Sequence, residues 1–394
     1  MDDKLISRWV KEGTITKVQA KKMLADVSKG RKESSSNKMI VAASTIGSIL
    51  LGIGAILFIA SNWEKMSNIV KTLILIGSTF AAYYVGYLFK YQKQNLPKVG
   101  DALMFLGALL FGATIILVAQ IYNLNANTHV LILIWLIGIL PLIYVIQSMP
   151  IAGLASLLFY VWIFLFFSPQ RSGWFWFFGS GETILYLPVF YLVGSVMLFS
   201  VGGLHYFSEK LKNVARIYRI ASLKVFLISL FFLTFNFISQ ASRYNISRNE
   251  LPSRFLIGFV AFSIIAIILS VVNWFFNKSE RASMLEGPVG IGFVALALVF
   301  FFYPSATSIY VLLFNLLLAG FILLMIYAGY QREDMKIVNM GMFWLAVFIV
   351  VKYFDWFWKL LSKSLFFIAG GLVLVLGGIA LEKKRRQIKH QFIS

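Results

Sequence analysis

Few residues of this chain can do chemistry, and those that stand out lie in two short polar turns at the ends of long apolar runs. Ser61-Asn62-Trp63-Glu64 closes one run and Gln120-Ile121-Tyr122-Asn123 closes another. Glu64 offers a carboxylate for acid or base work, while Asn62, Gln120 and Asn123 offer amide donors and acceptors. Brought to one membrane boundary, Asn62, Trp63, Glu64, Gln120, Tyr122 and Asn123 would line a polar pocket able to hold a ligand. The other reading makes Trp63 and Tyr122 interface anchors and Asn62 a helix cap. No catalytic residue set is expected: the chain has no phosphate-cradling Gly-Lys-Ser/Thr loop, no His-Glu-x-x-His helix and no Gly-x-Ser-x-Gly elbow. No metal and no cofactor are expected either. There is no cysteine, and His129, His205 and His390 stand in separate segments.

The elements that must position these turns are membrane helices. The chain is 59% hydrophobic and 13% charged, well beyond the roughly 45–50% apolar content of a soluble domain. Apolar runs near the length that crosses a bilayer recur from Met39 almost to the end, so the predicted fold is all-α: a polytopic transmembrane helical bundle of about twelve crossings. Among them are Met39 to Ala60, Asp101 to Ile121, Ala221 to Ile238, Pro288 to Phe302, Ile337 to Val351 and Ser364 to Leu381. Residues 39–204 make a first six-helix block and 205–381 a second, without a convincing internal repeat between them. Residues 1–38 read as a short cytoplasmic helical hairpin with a basic linker, and 382–394 as a basic cytoplasmic tail. The first long apolar run starts only at Met39, so no cleavable leader is expected.

Charge fixes the expected orientation. With the N-terminus in the cytoplasm, the inner segments hold 27 Lys and Arg and the outer ones 9, the asymmetry that retained loops show. Both termini are therefore expected inside. The formal charge of +20 then belongs to loops that face anionic headgroups rather than to a nucleic-acid surface. Membrane lipids are the expected partners, together with other membrane proteins; the oligomeric state stays open. No ionisable residue is expected deep in a crossing, which weakens a proton-driven transporter.

Two crossings carry stripes of small residues. Ser44, Ser48 and Gly52 recur every fourth residue in the first, and Ala108 and Gly112 do so in the third. Such stripes let helices approach closely in lipid, so the two crossings are predicted to touch and to bring their polar ends together.

The same residues carry a resemblance. Gly47, Gly52-Ile53-Gly54, Ala60 with Asn62-Trp63-Glu64, then Gly107, Gly112 and Gln120-Ile121-Tyr122-Asn123-Leu124, resemble the signature of bacterial predicted membrane proteins defined by domain of unknown function 2157. Trp9, Gly13, Ile15, Gln19 and Ala20 are similar to that family's opening. The resemblance covers about residues 5–145, with Ser61 where the family usually has Ala. It implies a multi-pass protein of the bacterial inner membrane, and it brings no established activity.

The first functional reading is thus a non-enzymatic membrane protein that transports or senses an envelope component. The alternatives are a membrane enzyme acting on a lipid-linked or glycan substrate, with Glu64 or Glu182 as acid or base, and a scaffold for partner membrane proteins. Topology is open to direct test: reporters fused after Lys93 and after Asn125 are expected on opposite sides of the membrane, and the same side for both would overturn the orientation.

Overall fold

In the computed structural model, the residues described are 18–19, 39–40, 42–54, 57–58, 66–167, 186–206, 208–235, 253–276, 286–303, 307–331, 334–357 and, near the C-terminus, 368, 370–372, 375–379 and 382–383. Among them the chain is all-α, with no strand. Eight of the described helices are long and apolar enough to cross a membrane, and Ala42–Gly54, Glu286–Phe302 and Gly370–Ile379 are shorter apolar helices. This is a multi-pass membrane protein. The chain divides into two compact units, Met1–Leu158 and Phe159–Ser394.

In the first unit the helices are α1 (Ala42–Gly54), α2 (Asn68–Tyr87), α3 (Pro97–Ile121), α4 (Thr128–Ile146) and the start of α5 (Met149–Phe167). Ser67 caps α2, its hydroxyl accepting from the Val70 amide, and Pro97 opens α3 at the position where its missing N–H costs nothing. A π-helical turn, Leu88–Gln92, extends α2. The turn carries Lys90, whose ammonium pairs with Asp101 at 2.6 Å and donates to the Ile146 carbonyl at 3.1 Å. One cation therefore ties the end of α2 to the start of α3 and satisfies a carbonyl at the C-terminal end of α4.

Small residues set the distances between these helices. A Cβ on Gly86 would stand 3.0 Å from the Gly100 carbonyl oxygen, so the backbones of α2 and α3 meet there without side chains between them. Higher up, Thr79 and Thr114 join the same two helices by a 3.0 Å hydroxyl pair. Gly52 of α1 lies against Leu106 of α3, where a Cβ would be 3.2 Å from Leu106 Cδ1. Ser48, on the same stripe, is buried and donates to the Ser44 carbonyl at 2.8 Å. The Ala108 and Gly112 stripe of α3 serves α4. The indole of Trp135 fills the notch left by Gly112, and its N–H donates to the Ala108 carbonyl at 2.9 Å.

The second unit holds the rest of α5, then α6 (Leu187–His205), α7 (Lys212–Leu233), α8 (Ser253–Phe276), α9 (Glu286–Phe302), α10 (Thr307–Gln331) and α11 (Met335–Phe357). Its core is aromatic. Phe167 stacks on Phe190 at 3.8 Å between ring centroids, Phe190 meets Phe259 at 5.0 Å, and Phe259 meets Phe301 at 4.3 Å. These rings join α5, α6, α8 and α9.

The seventh helix differs from the sequence expectation. Its apolar stretch suggested a start at Ala221, but α7 begins at Lys212, nine residues earlier. Val214, Ala215, Tyr218 and Ser222 form a buried stripe there, at the spacing that puts residues on one helical face. The Lys and Arg that read as a loop lie on the other faces of the same helix.

At Gly112 even a methyl group would overlap the Trp135 indole. Gly112→Val is expected to destabilise the protein by roughly 1–3 kcal/mol, the usual penalty of overpacking, read as a lower thermal midpoint in detergent. The same change at Gly77, where a Cβ meets nothing within 4 Å, should be tolerated.

Candidate functional site

Asn62, Trp63 and Glu64, half of the polar pocket drawn from the sequence, lie outside the described residues. The other half is placed. Gln120, Tyr122 and Asn123 are exposed at the turn between α3 and α4, and the Thr72 hydroxyl of α2 reaches the Tyr122 hydroxyl at 3.4 Å.

The turn itself has a backbone logic. Asn123 adopts a left-handed conformation, with φ of 48°. Its N–H bonds the Gln120 carbonyl at 3.2 Å and the Leu124 N–H bonds the Ala119 carbonyl at 2.9 Å, the paired pattern of a Schellman C-cap. Asn tolerates this conformation better than other side-chain-bearing residues. Asn123 is thus explained as a helix stop, whereas the Gln120 side chain is exposed and the Tyr122 hydroxyl, which accepts from Thr72, keeps its own proton to donate. Ser44, Ser48 and Gly52 lie on α1 and Ala108 and Gly112 on α3 as helix-contact residues, each stripe with the neighbour given above.

The second unit contains charged groups that the sequence reading placed in loops. Arg219 of α7 forms an ion pair with Glu286, the first residue of α9, and only 18% and 12% of their side-chain surfaces are exposed. The guanidinium also lies over two rings, 4.4 Å from the centroid of Phe199 and 5.2 Å from that of Tyr206. Gly202 makes room for this arrangement, since a Cβ there would stand 2.7 Å from Arg219 Cγ. One layer deeper, Ser200 of α6 and Ser270 of α8 share a 3.0 Å hydroxyl pair, and Asn273 rests on Gly203. The second carboxylate oxygen of Glu286 is buried and has no hydrogen-bond partner among the described residues.

At the other end of α7 stands a second polar node. Thr234 follows the last turn of α7, and its carbonyl accepts from Lys352 of α11 at 2.9 Å and from the Asn315 amide of α10 at 3.1 Å. Lys352 is 4% exposed in its side chain and pairs with Asp355 at 3.1 Å. Its ammonium also sits 4.3 Å from the centre of the Phe235 ring. Asn315 Oδ1 is buried with no partner among the described residues. An ammonium enclosed by a carbonyl, a carboxylate and an aromatic face is a satisfied buried charge.

Sequence reasoning missed both nodes for one reason. Arg219, Glu286 and Lys352 stand within a few residues of where an apolar run begins or ends, so each was assigned to a boundary. Residue type gave the only available signal: Lys352 and Asp355 are three apart in a run that is otherwise aromatic and aliphatic, a spacing that brings opposite charges together on a helix.

Residues 7–152 match the family described as Predicted membrane protein (DUF2157). The matched segment runs from the N-terminal region into the start of α5, less than half of the chain, and bears out the resemblance read there. It includes the α3–α4 turn and excludes Arg219, Glu286 and Lys352. No curated protein and no solved structure matches the chain.

The Arg219–Glu286 pair can be separated into its parts by a double-mutant cycle. Arg219→Met alone leaves a buried carboxylate without its partner and is expected to cost about 3–5 kcal/mol, whereas Arg219→Met with Glu286→Leu should recover most of that loss. Thermal unfolding of the purified chain in detergent reads these two variants and Glu286→Leu alone; a double-variant loss equal to the sum of the two single losses would show that the two groups do not act on each other.

Proposed function

We propose that this protein transports or senses an envelope component in the bacterial inner membrane, with α7 as its working element and without enzymatic chemistry of its own. The observation that carries this reading is Lys352, a buried lysine near the end of a helix long and apolar enough to cross a membrane, with Asp355 beside it. Such residues commonly mark binding or translocation sites.

The arrangement of α7 supports the same reading. One end is held to α9 by Arg219 and Glu286, and the other to α10 and α11 through the Thr234 carbonyl. Each hold is polar, whereas the packing between them is largely apolar, with Phe226 against Phe293 and Phe321. A helix fastened at both ends by exchangeable polar contacts can take up two arrangements, which a transporter or a sensor requires. Asn62, Trp63, Glu64, Gln120, Tyr122 and Asn123 are the proposed ligand-recognition residues of this reading, supported by the exposure of the last three.

The test begins with mass spectrometry of lipids and small molecules that co-purify with the full chain, compared with an unrelated membrane protein prepared in parallel. A specific species is expected in the wild type and at least tenfold less of it in Lys352→Met, with the protein still folded. The reading fails if no species is enriched, or if Lys352→Met retains it fully.

A further inference from the structure

The node at the C-terminal end of α7 is unevenly satisfied. The Thr234 carbonyl accepts twice, from Lys352 at 2.9 Å and from Asn315 Nδ2 at 3.1 Å, which occupies both of its lone pairs. Asn315 Oδ1, on the same side chain, is buried and accepts nothing among the described residues. Reversing the amide does not mend this. Nδ2 also donates to the Val311 carbonyl at 2.7 Å, so a reversed Asn315 would set its oxygen against two carbonyls. The acceptor is therefore fixed in place, and a buried acceptor without a donor is costly.

A strong donor stands beside it. Lys352 Nζ and Asn315 Nδ2 both lie within hydrogen-bond distance of the one Thr234 oxygen, so the ammonium and the Asn315 amide are neighbours. The lysine stem is flexible and its three N–H donors rotate. Moving the ammonium from the Thr234 carbonyl to Asn315 Oδ1 leaves neither acceptor empty: Thr234 keeps the Asn315 N–H, and Oδ1 gains a charged donor. Asp355 moves with it. It stands on the same helix and holds the ammonium at 3.1 Å, so the charge is paired in both positions and the heavy cost of an unpaired buried charge never arises.

The two positions differ in which helix holds the end of α11. In the first, Lys352 ties it to α7; in the second, to α10. Nearer its start, α11 is pinned closely on α10. A Cβ on Gly329 would stand 2.8 Å from the Val338 nitrogen and one on Gly341 would stand 2.5 Å from Ile326 Cγ1, and Val338 and Met342 pack with Ile326. Lys352 lies about 16 Å along the helix from Gly341 at the rise of 1.5 Å per residue. Against α7 the contacts are ring contacts, Phe231 with Trp344 at 6.3 Å between centroids and the ammonium over Phe235. Close packing at one end and an exchangeable ammonium toward the other give α11 a pivot and a latch.

We infer that Lys352 is a partner-exchange latch: the end of α11 alternates between α7, held through the Thr234 carbonyl, and α10, held through Asn315 Oδ1, while the Lys352–Asp355 pair stays intact. Asn315 is the positioning residue of the exchange. Its nitrogen serves Thr234 in both arrangements, and its oxygen receives Lys352 in one. The latch deepens the transport or sensing reading, on which it rests for its purpose, by naming the two arrangements that such a protein requires.

The chain has no cysteine, so spin labels can be attached at Phe232→Cys on α7 and Ile349→Cys on α11, both exposed positions. Pulsed electron paramagnetic resonance on the full chain in lipid nanodiscs then reads the distance between them. Two distance populations are expected with Asn315 in place. Asn315→Leu, which removes the second acceptor, should lose the longer one, whereas Asn315→Asp, which gives the ammonium a charged acceptor on α10, should enrich it. A merely structural Asn315 predicts the reverse for the leucine variant, because losing its N–H to Thr234 would loosen α7 and broaden the distances. In a Lys352→Met background, Asn315→Leu should no longer shift the populations. A single population in the labelled parent, or leucine and aspartate variants that shift the same way, would overturn the proposal; should one variant fail to fold, the direction of shift in the other decides. No ligand enters this measurement, so the latch can stand where no co-purifying species is found, and can fail where one is.

Discussion

A polar group inside an apolar helix bundle has only protein to bond to, and the way each such group is satisfied shapes this structure. Most hydroxyls turn back on their own helix. Ser48, Thr79, Thr114, Ser156, Ser195 and Ser229 each donate to the carbonyl four residues earlier. The hydroxyl oxygen then has capacity left for a neighbour, which is how Thr79 meets Thr114 and Tyr160 meets Ser195 across helices. Such cross-helix bonds are worth about 0.6 kcal/mol on average in a membrane protein, too little to assemble the bundle but enough to fix the register of a helix pair.

Charges follow the same rule at greater stakes. Lys90 and Lys352 each combine a carboxylate partner with the carbonyl at the end of another helix, Ile146 in one case and Thr234 in the other. Helix C-terminal ends carry unsatisfied carbonyls and a negative partial charge, so a cation there answers two needs at once. Arg219 meets its needs differently, with a carboxylate on one side and aromatic faces on the other. The result is a bundle in which charged groups sit at helix ends and bind those ends to neighbouring helices.

Packing between the ends uses the two extremes of side-chain size. Gly112 admits the Trp135 indole, Gly107 lies against the ring of Tyr83, and Gly138 against that of Phe111. The second unit instead stacks rings on rings around Phe167, Phe190, Phe259 and Phe301. Close approach supplies the dispersion energy that holds helices together where lipid offers no hydrophobic drive. A glycine opposite an aromatic ring and a pair of stacked rings are two ways to obtain the same contact.

Composition and run length alone determined the solvent, the all-α class and the multi-pass character, because bilayer thickness requires long apolar helices whatever their neighbours are. The small-residue stripes were equally legible, since Gly52, Ala108 and Gly112 announce close contacts by type and spacing. What they touch was not. Gly112 receives Trp135 rather than α1, because a notch on one helix is filled by whichever facing side chain fits, and that depends on rotation and offset between helices. The charged nodes lay further out of reach. Arg219 and Glu286 are separated by dozens of residues, and Lys352 finds its carbonyl acceptor at Thr234 on a helix far back in the chain. Local sequence records that a charge exists near the end of an apolar run, but only the antiparallel arrangement of α6 to α11 decides which helix end it reaches, and so whether it is a solvated loop residue or a buried tie.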